Sequence, residues 1–93
     1  MRTTYERFKE LREKAQDKLK GHGILKEQLK DAVLEINLME EYEVPKYKLE
    51  LVQSIIKSCL THKPEGDQGI IGTSINKMTY AQLKSLKRSI ELL

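Results

Sequence analysis

Met78-Thr79-Tyr80-Ala81-Gln82-Leu83-Lys84-Ser85-Leu86-Lys87-Arg88-Ser89-Ile90-Glu91-Leu92-Leu93 carries the strongest local signature in the chain. Thr79 and Gln82 stand at capping-box spacing. The hydroxyl and the side-chain amide reciprocally satisfy backbone N–H groups that the first turn of a helix leaves unpaired. Met78 before the cap and Leu83 four places into the helix add a hydrophobic staple. Tyr80, Leu83, Leu86, Ile90 and Leu93 then recur at three- and four-residue steps, the period of one helix face, while Lys84, Lys87 and Arg88 fall on the other side. The spacing predicts a helix over 79–93.

The same period runs through the three segments before it. Tyr5, Phe8, Leu11, Ala15 and Leu19 predict a helix over 4–20, with Thr3 and Glu6 as its capping box and Gly21 or Gly23 as its left-handed stop. Leu25, Leu29, Ala32, Val33, Ile36 and Met39 predict a second over 25–41. Leu34 and Leu38 lie off that stripe and widen it, as in a helix with neighbours on two sides. Pro45 suits the first turn of a helix and not its interior. Leu51, Val52, Ile55, Ile56, Cys59 and Leu60 carry that third helix over 45–60. The alternation of Tyr47-Lys48-Leu49-Glu50-Leu51 is read as its opening turns, since a lone strand would have no partner. Residues 61–77 are expected to be irregular: Lys63 is pushed out of the helical region by Pro64, turn residues follow through Gly69, and the apolar pair Ile70-Ile71 should tuck under the end of a bundle. The expectation is a single all-α domain over 1–93, an antiparallel four-helix bundle with a long loop between the third and fourth helices.

Composition narrows the function. The chain has 93 residues, 39 % hydrophobic and 33 % charged, too apolar for a disordered tail and too polar for a membrane span. No apolar run suits a signal peptide, so a soluble cytoplasmic domain is expected. One cysteine excludes a disulfide framework and a multi-cysteine zinc site. Seventeen basic against fourteen acidic residues give a net charge of +3, permissive of nucleic acid without pointing to it.

The sequence carries no recognisable catalytic signature. Gly66, Gly69 and Gly72 match neither a dinucleotide fingerprint nor a phosphate loop. Cys59 and His62 are three apart, yet Cys59 continues an apolar face and reads as a buried core thiol, with His62 turned to the last carbonyls of its helix. Glu40, Glu41 and Glu43 form either a solvated helix end or partners for basic residues of a neighbouring helix. Lys77, Lys84, Lys87 and Arg88 give the last helix a basic face: a solvated surface first, then one that meets anionic lipid or an acidic partner. A helix-turn-helix needs a short turn before its second helix, and the expected loop before Thr79 is far too long for one. No catalytic residue, cofactor, metal or small-molecule substrate is expected. Leu34, Leu38 and the Ile70-Ile71 pair are the apolar surface a partner would cover.

Met78-Thr79-Tyr80-Ala81-Gln82-Leu83-Lys84-Ser85-Leu86-Lys87 is similar to the last-helix pattern of the bacteriocin immunity proteins of Gram-positive bacteria, of the pediocin-like or enterocin A type. There an apolar residue and a Ser/Thr cap precede a Gln, followed by Leu and Lys-rich turns. Val44-Pro45 opening the third helix is also similar, as are size, basic charge and helix order. The resemblance implies a cytoplasmic, non-enzymatic protein that protects the producing cell from its own pore-forming peptide. It implies as partner a membrane-embedded sugar transporter with bacteriocin bound; membrane-surface association is a further expectation that rests on the basic face of the last helix. Specificity in the family lies in the C-terminal half, which carried onto this chain points to Ile70, Ile71, Lys77, Lys84, Lys87 and Arg88. The long third connection and the lack of residues beyond Leu93 depart from the pattern. The alternative is a small helical DNA-binding or phage-type regulatory protein.

Overall fold

The structure, a computed structural model, describes residues 5–21, 23–63, 66 and 69–93. Five α-helices and one 3-10 turn follow in order: α1 (Glu6–Lys18), α2 (Leu25–Asn37), the turn Glu41–Glu43, α3 (Lys46–Ser58), α4 (Gly69–Asn76) and α5 (Tyr80–Glu91). The all-helical class is as the periodicity predicts, and the described residues contain no strand. The helix count is not: five replace the expected four.

α2 is the centre of the fold, in contact with each of the other four helices. Its wide apolar stripe gives the reason. Leu29, Ala32, Val33 and Ile36 are wholly buried, so the helix is surrounded along one broad face. α1 runs back along α2 as a helical hairpin, closed by Gly21, whose φ of 90° is the left-handed conformation expected of a helix stop. α5 lies against α1, α2 and α3, and Leu83, Leu86, Ile90 and Leu93 are buried there as predicted. Its capping box is formed: the Thr79 N–H donates to Gln82 Oε1 at 2.8 Å and the Gln82 N–H to Thr79 Oγ1 at 3.2 Å. The other end of α5 is held by its neighbours. Gln16 Nε2 donates to the Ile90 and Glu91 carbonyls, and Lys48 Nζ to that of Leu92 at 2.8 Å. Side-chain donors from α1 and α3 thus satisfy carbonyls that the last turn leaves open.

Several expectations need correcting. Each helix is shorter than its periodic stretch, because the terminal turns unwind into caps. Tyr80 and Tyr5, counted on buried faces, are exposed; both sit at helix entrances, where the stripe has run past the neighbouring helix. Pro45 is the cap before α3, its carbonyl accepting from the Lys48 and Leu49 N–H groups. The alternating Tyr47–Leu51 stretch is helical, as expected. The largest correction is at 61–77, where the expected loop contains α4. Gly72, Ile70, Ile71 and Thr73 are poor helix formers, and eight residues are too few to stand alone in water. Burial supplies the stability: Gly72, Thr73, Ser74 and Ile75 are buried, and the helix packs on α2. Gly69 enters it with φ of 71°, a conformation that favours glycine. The Thr3 capping box, His22, and Pro64, Glu65, Asp67 and Gln68 of the predicted turn lie outside the described residues.

Candidate functional site

The six residues that the sequence singles out do not form one site. Ile70 and Ile71 line one groove, Lys77 a second, and Lys84, Lys87 and Arg88 a third.

The first groove lies between α2 and α4, about 430 Å³, with Leu34, Leu60, Ile70 and Ile71 as its apolar lining. Leu60 and Asn37 also line a neighbouring apolar groove of about 460 Å³ between α2 and α3, where Met39, Val44, Leu49 and Ile56 lie. The two grooves therefore adjoin at Asn37 and Leu60, with Glu27, Lys30 and Asp31 also lining the first and Glu41, Gln53 and Lys57 the second. Leu34 is 53 % exposed, Leu60 50 % and Ile70 41 %. Single exposed leucines are ordinary on a protein surface; here Leu34, Leu60 and Ile70 come from three parts of the chain and lie around adjoining grooves. Leu34 and Ile70 were legible as apolar surface, Ile70 against the expectation that it tucks under the bundle; Ile71 is partly buried against the core, and Leu38, also exposed, lines neither groove. Leu60 was not legible, because it continues the helical pattern of α3 and reads as core.

Lys77 lies in a groove of about 310 Å³ between α3 and α5 that contains Ser54, Ser58, Ser74, Ser85 and Ser89, every serine of the chain. Their hydroxyls are largely turned to the backbone. Ser58 Oγ donates to the Ile55 carbonyl at 2.8 Å and Ser89 Oγ to that of Ser85 at 3.1 Å, while Ser74 Oγ accepts from the His62 N–H at 3.2 Å. The groove is thus a product of small side chains spaced four apart on two facing helices. The His62 N–H bond ties the exit of α3 to α4.

Cys59 is buried in the core as expected, and burial pushes its thiol pKa above the ordinary 9.0, with the Ser58 hydroxyl at 3.9 Å opposing in part. The thiolate is the reactive form, so this cysteine is inert. A water-soluble thiol reagent is expected to leave Cys59 unmodified in the native protein at neutral pH and to modify it fully in denaturant. Rapid native labelling would place the thiol outside the core. A raised native pKa means that the folded state holds the proton longer. Its contribution to stability is complete below pH 9.0 and declines as pH rises above that value.

Glu43 settles the open question about the acidic cluster. It is buried, and its Oε1 accepts from Arg7 Nη1 of α1 at 3.3 Å and from the Glu40 N–H at 2.9 Å. Glu40 and Glu41 are exposed. The pairing reading holds for Glu43 and the solvated reading for the other two.

The third groove is shallow, about 590 Å³, between the start of α2 and α5, with Leu25, Tyr80, Lys84, Lys87, Arg88 and Glu91 around it. Lys84 Nζ lies 5.4 Å from the centre of the Tyr80 ring, within cation–π range. The link from α4 to α5 is residues 77–79. The long-loop argument against a helix-turn-helix therefore falls.

Among the described residues no group of three or more His, Cys, Asp or Glu side chains could hold a metal ion, and no helix is long and apolar enough to cross a membrane. No family model, curated protein or solved structure matches the chain.

Proposed function

We propose that the protein is a bacteriocin immunity protein that acts by docking, without catalysis, on the cytoplasmic side of a membrane sugar transporter occupied by the bacteriocin. The observation that carries this reading is the face of two adjoining grooves, more apolar than polar, where Leu34, Leu60 and Ile70 are exposed beside the partly buried Ile71. Such a face suits recognition by contact. The similarity of 78–87 and of Val44-Pro45 to the immunity family supplies the biological role. Occupancy would act by favouring the closed receptor, to the extent that the protein binds that state more tightly.

The test expresses the chain in a sensitive strain and challenges it with a panel of pore-forming peptides. Survival against one peptide at doses that kill the vector control is the expected result. Leu34→Asp with Ile70→Asp, both at exposed positions, should abolish protection while leaving the helical circular dichroism unchanged. Unchanged killing by every peptide removes the reading.

The short α4–α5 link is the one observation that favours the alternative, a small DNA-binding regulator. A steep loss of affinity for duplex DNA with added salt would mark it.

A further inference from the structure

We propose that the shallow groove between the start of α2 and α5 is a docking surface for an anionic lipid bilayer. Lys84, Lys87 and Arg88 converge there with Glu91 as the one acidic neighbour in the lining. No ion pair among the described residues engages any of the three cations. Their combined charge is complementary to a negatively charged surface.

The apolar residues in and beside the groove select lipid over other polyanions. Tyr80 is 69 % exposed and carries Lys84 over its ring. Leu25 lines the groove, and Ile24 before it is 71 % exposed. An aromatic ring with one wet edge and an aliphatic side chain suit the boundary between headgroups and acyl chains, and long basic side chains reach headgroup phosphates from that depth. Phosphates on a nucleic acid backbone would use the cations and leave the apolar Leu25 of the lining without a partner.

The arrangement also leaves the other face free. Leu25 and Leu34 are nine residues apart on α2, about 180° around the helix. A bilayer on the Leu25 side leaves the Leu34 groove open. The inference goes beyond the immunity reading and stands whether or not that reading does.

The experiment sediments the full chain with vesicles of phosphatidylcholine alone and with vesicles in which roughly a third of the lipid is phosphatidylglycerol. Binding to the anionic vesicles alone, weakening as salt is added, is expected. Lys84→Glu, Lys87→Glu and Arg88→Glu should each lower the partition coefficient by about fivefold or more, and the triple variant should abolish binding. Ile24→Ser and Tyr80→Ser should weaken it while leaving its salt dependence in place. These positions lie at the surface or in the groove lining, so circular dichroism identifies any variant that fails to fold, and its conservative counterpart (Lys84→Gln, Lys87→Gln or Arg88→Gln) replaces it. No binding to anionic vesicles, or equal binding to both kinds, overturns the proposal. Salt-sensitive binding to duplex DNA without any to vesicles overturns it too and assigns the face to nucleic acid.

Discussion

Leu29→Ala is expected to lower the stability of the chain by about 2–5 kcal/mol, the largest single-residue effect outside multiple substitution. Leu29 is wholly buried in the one core cluster, on the helix that touches every other helix. Truncation removes three carbon atoms from water-free surroundings and leaves a cavity that the facing side chains cannot fill by local movement. A domain of this size has only about 5–15 kcal/mol to lose. The melting temperature should fall by at least about 8 °C. Leu34→Ala, on the same helix and half exposed, should stay within about 0.5–1 kcal/mol of the parent. Similar losses from both variants would show that α2 does not have the buried and open sides described.

The contrast between Leu29 and Leu34 also shows how much could be read in advance. Periodicity located α1, α2, α3 and α5 because each carries an apolar residue every three or four places over at least three turns. The same rule failed at α4, where eight residues with two glycines give no period to detect and the helix exists through burial against α2. Capping chemistry was legible at Thr79-Gln82, where both partners are local in sequence. It was not legible for the carbonyls at the end of α5, whose donors Gln16 and Lys48 come from distant helices. The candidate site divides in the same way. The residue types were named, but their distribution over three grooves depends on how α4 turns the chain back over α2. Leu60 was hidden for a related reason. Its helix ends at Ser58, so a residue that continues the apolar stripe emerges at the surface between α2 and α4.

Glu43→Ala is expected to cost about 1–3 kcal/mol, with the neighbouring Glu40→Ala and Glu41→Ala each within about 0.5 kcal/mol. Glu40, Glu41 and Glu43, at and just before one 3-10 turn, would be interchangeable if the turn were merely a solvated link. Glu43 differs because its carboxylate is almost wholly covered and holds two donors, the Glu40 N–H and the Arg7 guanidinium. Removing it leaves the N–H at the start of the turn without its acceptor and Arg7 without its counter-charge. Glu43→Gln keeps one acceptor oxygen at the same reach and should lose less than the alanine variant. The consequence extends to the apolar face, since Met39, Glu41 and Val44 around this turn line the groove between α2 and α3. A loosened turn frees the start of α3 relative to α1 and widens that groove. On the proposed immunity role, protection should therefore weaken in Glu43→Ala at temperatures where the protein is still folded, and recover in part with Glu43→Gln. Chemical denaturation of the four variants decides the first part: equal midpoints for all three alanine variants would remove the anchoring role assigned to Glu43.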